Sequence, residues 1–400
     1  MTKNQVAVDE FLGEDLRACD VGILPRYYCE LLTWALHRYL EREGWFTVSI
    51  LGYHSPEPVY IDVNTGDESS NLLSNGRLLV ENGDNRFVVT VDINPMSRCS
   101  VTVEGRANSE NEIRAFVGGV MAITERENFY RGKKVEFNRR IRILDVRDKS
   151  WDSIAMDADT KAEIRANTVS FLRQPERWLR CAIPLKRGIL LAGEPGTGKT
   201  VICKALMAEA EGITCITTNG YAIDDDDYIN ELYELALDLS PSIVFIEDID
   251  LIGRSRVESS YQRGPALLSL LSVLDGIEEY TKIVTIATTN CLEMLDEALS
   301  QRPSRFDRVI MLTRPSTQQR REVVHRLCQR IPLEEEMQEY IAQKTEGFTP
   351  AQVQEVIYSL VIRCPAEQVE LSFDTSDIDR AISMVNGRKR AQIGFASNSG

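Results

Sequence analysis

Histidine is almost missing, with three in 400 residues. The nine cysteines stand singly, at positions 19, 29, 99, 181, 203, 215, 291, 328 and 364, and no C-x-x-C pair occurs. That distribution argues against a zinc module and against a disulfide framework, and fits a reducing, cytoplasmic setting. Basic charge is also short: 46 Lys and Arg stand against 61 Asp and Glu, for a net charge of −15. A chain so acidic is poorly suited to grip a phosphate backbone over a broad surface, and it carries no basic-aromatic stripe. A nucleic-acid partner is therefore disfavoured. Long apolar runs are absent as well. Leu24–Leu40, the most apolar helix candidate near the start, contains Arg26, Glu30, His37 and Arg38. It reads as a core-facing amphipathic helix with Leu24, Tyr28, Leu31, Ala35 and Tyr39 on one face. No membrane insertion is expected from it. The opening Met-Thr-Lys-Asn-Gln lacks the apolar stretch of a targeting signal.

What is present is enough apolar material, 43% of residues, for two or three packed domains. Residues 1–147 read as an N-terminal α+β domain. After the first helix come alternating runs at Trp45–Leu51, Val59–Val63, Arg77–Val80, Arg86–Ile93 and Cys99–Glu104, split by turn residues such as Ser74-Asn-Gly76. A helix over Glu110–Asn128 and two strands, Lys133–Phe137 and Arg140–Val146, complete it. No catalytic constellation is visible there. Residues 148–315 alternate strand and helix, the pattern of an α/β domain with a parallel sheet and helices on both faces. Its strands are expected at Gly188–Ala192, Gly212–Thr217, Ser242–Glu247, Ile283–Thr288 and Val309–Leu312. Residues 316–387 read as a helical lid, and 388–400 as a flexible tail.

The chemistry concentrates in the second region. Gly193-Glu-Pro-Gly-Thr-Gly-Lys-Thr200 follows an apolar strand and opens a helix. This is the phosphate-binding loop G-x-x-x-x-G-K-[ST] in its proper context. Its glycines let backbone N–H groups turn onto phosphate oxygens, and the helix N-terminus adds partial positive charge. Lys199 is placed to reach the β- and γ-phosphates, and Thr200 to offer a hydroxyl to Mg²⁺. The loop residues Glu194, Pro195, Gly196, Thr197 and Gly198, with Val201 behind them, complete the cradle. The strand Ser242-Ile-Val-Phe-Ile-Glu247 ends in two acids, Glu247 and Asp248. Nucleotide hydrolysis needs one carboxylate for the metal and one to polarise the attacking water. Asn290, at the end of a third buried strand, is placed either to sense the γ-phosphate or to serve a turn. Arg302 and Arg305 flank a proline. Either they reach a neighbouring subunit's γ-phosphate as arginine fingers or they pair with local acids.

From Trp151 to about Val385 the chain resembles an AAA-type ATPase module of the AAA+ class. The resemblance rests on Trp151-Asp-Ser-Ile-Ala155, the phosphate loop, Ile243-Val-Phe-Ile-Glu-Asp-Ile-Asp250, Ala287-Thr-Thr-Asn290, Arg302-Pro-Ser-Arg-Phe-Asp307 and Glu346-Gly-Phe-Thr-Pro-Ala-Gln352. It implies a P-loop ATPase working as a homo-oligomeric ring, usually a hexamer, with ATP and Mg²⁺ as cofactors and each site shared between neighbours. It further implies that Arg302 and Arg305 act in trans, that Asn290 is the first sensor, and that Ile154, Ala155, Pro350 and Ala351 flank adenine. Most members read Asp-Glu where this chain reads Glu247-Asp248. The mitochondrial Rieske-protein translocase branch is similar in this order, and also at Phe171-Leu-Arg-Gln-Pro-Glu and Ile183-Pro-Leu-Lys-Arg-Gly188. That branch carries a membrane helix not seen here.

Protein-threading members present an aromatic loop to the ring's pore, and Tyr221 falls at that position, followed by Ala222-Ile223 without the family's glycine. Tyr221 either grips a peptide or packs beside its own helix. Asp224–Asp227 either favour a helix start or form an acidic pore mouth. Two functions are thus expected to compete. One is an ATP-driven ring that unfolds, threads or remodels a protein substrate chosen, directly or through an adaptor, by the N-terminal domain. The other is an ATP-dependent assembly switch with slow turnover that controls a partner effector.

Overall fold

The computed structural model describes residues 3–13, 16–94, 98–146, 149–151, 154–223, 225–252, 265–275, 281–293, 306–331, 333–363 and 373–387. The chain divides into two compact units, Met1–Asp145 and Val146–Gly400.

In the first unit, strands β1 (Arg17–Pro25), β2 (Phe46–Leu51), β3 (Val59–Asn64), β4 (Ser69–Asn82), β5 (Asn85–Ile93) and β6 (Arg98–Arg106) make an antiparallel sheet in the order β1-β6-β5-β4-β2, with β3 also on β4. Alternation along β4 and β5 builds two faces. Leu78, Val80, Phe87, Val89 and Val91 join Leu32, Leu36, Phe116 and Val120 from the helices Cys29–Glu43 and Glu110–Arg126. Leu79 and Val88, one residue out of phase, meet Val8 and Leu12 of the helix Lys3–Leu12. Trp45, Phe87 and Phe116 wedge together with ring centroids 5.0, 5.1 and 6.0 Å apart. Further along the chain, β7 (Lys134–Phe137) and β8 (Ile141–Ile143) form a short antiparallel hairpin.

Two local expectations change here. The first long helix begins at Cys29, not Leu24: residues 17–25 form β1, and Pro25 leads into a short 3₁₀ turn, Arg26–Tyr28. Ser74-Asn75-Gly76 is not a turn but lies inside the 14-residue β4. Residues 69–75 of β4 pair with β3 and residues 77–81 with β2, so one strand does the work of two. Gly76 sits at the changeover, where a Cβ would lie 2.9 Å from the Leu51 carbonyl oxygen and 2.8 Å from Leu73 Cδ1. Close backbone approach, rather than turn chemistry, explains that glycine.

In the second unit, β9 (Lys186–Gly193), β10 (Thr214–Asn219), β11 (Ser242–Glu247), β12 (Ile283–Thr289) and β13 (Arg308–Leu312) run parallel in the order β13-β9-β12-β11-β10. This is the parallel α/β sheet of a P-loop NTPase. The central strand β11 carries an apolar run, as burial on both faces requires: Ile243, Val244, Phe245 and Ile246 are all fully buried. The helices Ala158–Asn167 and Lys199–Glu209 supply Ile164, Ile202 and Leu206 to the core beside Ile189, Leu191 and Ile286. Four further helices, Thr317–Leu327, Glu335–Lys344, Pro350–Arg363 and Thr375–Gly387, pack around Val324, Ile341, Val353, Val356 and Ile378. Ser316 opens the first of them with a capping box closed by Gln319. Among the described residues no helix is long and apolar enough to cross a membrane.

Because Phe245 lies fully buried in β11, Phe245→Ala should cost about 3–5 kcal/mol. Thermal unfolding should show this as a lower midpoint for the second unit; an unchanged midpoint would contradict the packing described.

Candidate nucleotide-binding site

β9 leaves the sheet at Gly193, where a Cβ would lie 2.5 Å from the Leu312 carbonyl oxygen, a contact only glycine avoids. The loop then turns on Gly196 (φ +84°) and Gly198 (φ +105°), conformations that L side chains resist. Thr197 closes the turn by donating Oγ1 to the Glu194 carbonyl at 2.8 Å. The helix starts at Lys199. Lys199 is 6% exposed. Its Nζ donates to the carbonyls of Gly193 and Glu194 at 2.6 and 3.1 Å. Burial pushes its pKa below the ordinary lysine value, opposed by the nearby carboxylates of Asp248 and Asp250.

The carboxylate strand β11 delivers its two acids to different partners. Thr200 Oγ1 donates to Glu247 Oε2 at 2.7 Å. Asp248 takes the left-handed conformation (φ 54°, ψ 57°). For a non-glycine residue this costs about 1–3 kcal/mol unless the surroundings compel it. Here they do. Its N–H donates to Thr288 Oγ1 at 2.9 Å, and its Oδ1 accepts from Asn290 Nδ2 at 2.8 Å. Asp250 Oδ1 accepts from Thr289 Oγ1 at 2.9 Å and from the Asn290 N–H at 3.3 Å. The end of β12 is thus pinned to the end of β11 by four hydrogen bonds.

Lys199, Thr200, Asp248 and Asn290 open onto a cavity of about 610 Å³. Its floor is Pro195, Gly196, Thr197, Gly198, Lys199, Thr200 and Val201, with Asp248 and Asn290 at one side. Ile154 and Ala155 also line it, as do Pro350 and Ala351 from the lid. The volume and the mixture of apolar wall and convergent polar groups are those of a small-ligand site. Sequence reasoning missed Met156, Val323, Arg326, Leu327 and Gln354, which also line it, as well as Asp250. The spacing of Val323 and Leu327 is an ordinary helix-face signal, so nothing in the sequence separated lid core from cavity wall.

Glu194 behaves differently from its neighbours. Its carboxylate faces an adjoining pocket and accepts from Arg314 Nη2 and Nε at 2.8 and 3.1 Å. Arg314 also donates to the Gly347 carbonyl at 3.0 Å. Arg302 and Arg305 lie outside the described residues. Asp307, within the described residues, accepts from the Gly188 N–H of β9 at 2.7 Å. Tyr221 is 58% exposed, on the 3₁₀ turn Gly220–Ala222, and does not line the cavity. Asp225 caps the helix Asp226–Asp238 by accepting from the Tyr228 N–H at 2.8 Å, and Asp226 and Asp227 fill its first turn. Helix-start chemistry thus accounts for three of the four acids; Asp224 lies outside the described residues.

Residues 189–314 match the model of the ATPase family associated with various cellular activities (AAA). This segment holds β9 to β13, the phosphate loop and the carboxylate strand, so it is an AAA domain and its enzyme class is ATP hydrolase. The chain is also 36% identical over 235 residues to the "ATP-dependent zinc metalloprotease FtsH 3" of Sorangium cellulosum (strain So ce56), a match covering 56% of this chain and 38% of that protein. It is 34% identical over 229 residues to "ATP-dependent zinc metalloprotease FtsH 2" of Sphaerobacter thermophilus, covering 55% and 35%. It is 30% identical over 268 residues to the protein of the same type in Ureaplasma parvum serovar 3, covering 61% and 36%. The chain therefore spans less than two-fifths of the length of these relatives.

Gly196 carries a direct test. A Cβ there would lie 2.9 Å from Thr349 Oγ1 and 3.0 Å from Ala351 Cβ, on a backbone with positive φ. Gly196→Ala should cost about 1–2 kcal/mol of stability and weaken ATP binding at least tenfold by calorimetry. Wild-type affinity in the variant would show that the loop is not the binding element.

Proposed function

We propose that this chain is the subunit of a homo-oligomeric, ATP-hydrolysing ring that unfolds, threads or remodels a protein substrate.

 The carrying observation is that Lys199, Thr200 and the hydrogen-bonded pair Asp248–Asn290 line one cavity, with Glu247 bonded to Thr200. Lys199 and the loop N–H groups are suited to hold the β- and γ-phosphates. Thr200 and Glu247 offer hard oxygen donors 2.7 Å apart, the donor set Mg²⁺ takes alongside phosphate oxygens. When bound, the ion would neutralise charge on the phosphates. Asp248, positioned by Asn290, is the carboxylate suited to orient and polarise the attacking water. Arg302 and Arg305 are assigned to the neighbouring subunit's site, which makes a ring, hexameric by family resemblance, the working unit.

A protein substrate is supported by the relatives, whose names describe ATP-dependent proteolysis. No H-E-x-x-H pair occurs in these 400 residues, so the zinc-protease part of those names has no counterpart in this sequence. The first unit is assigned to substrate or adaptor selection, and Tyr221, exposed on its turn, to gripping the substrate. The unpaired cysteines favour a cytoplasmic, reducing location. The Glu247-Asp248 order and the Phe171 and Ile183 segments favour a place beside the Rieske-protein translocase branch. The second reading, an assembly switch with slow turnover, is favoured by one feature: the water-polarising carboxylate is the shorter Asp248, held on a strained backbone.

Asp248→Asn should lower ATP turnover about 100-fold or more while ATP still binds, measured by phosphate release and calorimetry. Undiminished turnover would remove Asp248 from its role. Mixing Lys199→Ala with Arg305→Ala subunits should restore part of the activity that each lacks alone; confirmed mixed rings without rescue would contradict a shared site. Tyr221→Ala should abolish substrate processing with ATP turnover retained, whereas a switch would tolerate it.

A further inference from the structure

Two thiols of the first unit have no part in the roles above. Cys29 opens the helix Cys29–Glu43 and is partly buried, whereas Cys99, on β6, is fully buried. β1 pairs with β6 so that Leu24 lies opposite Cys99, and the chain then turns through Arg26–Tyr28 into the helix. That turn brings both sulfurs to one short stretch of backbone. Cys99 Sγ donates to the Pro25 and Leu24 carbonyls at 3.3 and 3.6 Å, and Cys29 Sγ donates to the Arg26 carbonyl at 2.7 Å. Cys29 also packs against the apolar cluster that contains Cys99. The two thiols act on each other directly. A hydrogen bond from Cys99 holds Cys29 below the ordinary cysteine value, helped by the Arg140 guanidinium and opposed by burial. The same contact and burial push Cys99 up.

We propose that Cys29 and Cys99 are a reversible thiol–disulfide pair that takes hydrogen peroxide as its oxidant, with Cys29 the attacking thiol and Cys99 the resolving one. A reactive cysteine needs thiolate character and partial access, and a neighbour to resolve its oxidised form. Cys29 has the first two and Cys99 is that neighbour. In the first step the Cys29 thiolate attacks a peroxide oxygen. An S–O bond forms, the O–O bond breaks, and the leaving hydroxide takes the proton that the thiol gave up. The Cys29 sulfur is oxidised by two electrons to a sulfenic acid, and the peroxide is reduced to two waters over both steps. In the second step Cys99 Sγ attacks the Cys29 sulfur. The S–S bond forms, the S–O bond breaks, and the Cys99 proton departs with the hydroxide as water. Cys99 never meets the oxidant, so its burial is no obstacle. A dithiol reverses the change by exchange and is itself oxidised to a disulfide. Such a transient pair is compatible with a reducing setting, where lasting disulfides are rare and redox-sensing ones occur. The bond would join the start of β6 to the start of the helix Cys29–Glu43.

The test treats the reduced full chain with a small excess of hydrogen peroxide, blocks the remaining thiols with iodoacetamide, and maps the peptides by mass spectrometry without reduction. The expected product is a Cys29–Cys99 crosslink that forms about tenfold faster than the exposed Cys19 and Cys181 are oxidised. Dithiothreitol should return both thiols. In Cys99→Ser the crosslink should vanish and dimedone should label Cys29 as a trapped sulfenic acid. In Cys29→Ser, Cys99 should stay reduced. The proposal is overturned if Cys29 and Cys99 remain thiols after Cys19 and Cys181 have reacted, or if Cys29 crosslinks to a different cysteine. It is equally overturned if Cys29 stays unlabelled in Cys99→Ser, or if Cys99 is oxidised in Cys29→Ser as fast as in wild type. Should either variant fail to fold, the wild-type peptide map decides alone: with the reversible crosslink the proposal stands, and without it the proposal falls.

Discussion

The site depends on the register of three parallel strands. Ala192 on β9 lies opposite Thr289 on β12, and Ala287 on β12 lies opposite Ile246 on β11. That alignment brings the exit of the phosphate loop, the polar end of β12 and the two acids of β11 to one edge of the sheet. Ligands of open parallel sheets bind at this carboxyl edge. The register is fixed by side chains that have no solvent-facing alternative, since both faces of β11 are buried. A slip of one residue would exchange the faces of every side chain on the strand. The 2.7 Å contact from Thr200 to Glu247 is the readout of correct register, made between groups 47 positions apart.

The parts of the site that were legible in the sequence are those whose chemistry is local. Eight consecutive residues specify the phosphate loop, because its glycines are needed where the backbone turns to positive φ. Two acids closing an apolar run specify the carboxylate strand. Ile154, Ala155, Pro350 and Ala351 were reached only through family resemblance, yet they line the cavity. What was not legible depends on tertiary placement. Val323 and Leu327 look like any lid-core residues until the helix is set against the loop. Asp250 looks like a third solvent acid until β12 is laid beside it. In the first unit, Ser74-Asn75-Gly76 has turn composition, but pairing on both edges of β4 outweighs local preference.

The polar groups at the site are held less comfortably than those of the surrounding core. Asp248 adopts a backbone conformation that a free chain avoids, Lys199 is desolvated, and Arg326 buries a donor without an acceptor among the described residues. Each of these lowers stability, against a surrounding core in which Ile243, Val244, Phe245, Ile246, Val284 and Ile286 are buried. Local rules are broken most where a fold does its chemistry. The pattern also explains why Asp248 cannot be treated as a solvent-facing strand end. Its conformation is maintained by Thr288 and Asn290, so the direction of its carboxylate is set by β12 rather than by its own strand.

The lid is tied to the phosphate loop by few direct bonds. Arg314 bridges Glu194 and the Gly347 carbonyl, and the Ala351 N–H donates to the Gly196 carbonyl at 3.3 Å. The Arg314 and Glu194 side chains are 43% and 56% exposed. An ion pair so open to solvent contributes about 0–1 kcal/mol. Such contacts set the angle of approach without fixing it firmly. By contrast, the cavity is walled by the loop on one side and by two lid helices on the other, so any molecule filling it touches both. Its binding free energy, rather than the bridging pairs, then determines how tightly lid and loop are held together. A ligand shifts such an equilibrium only by its differential affinity for the two arrangements. Contacts from the lid therefore count for more than equal contacts from the loop, because the lid supplies the wall that the loop alone lacks.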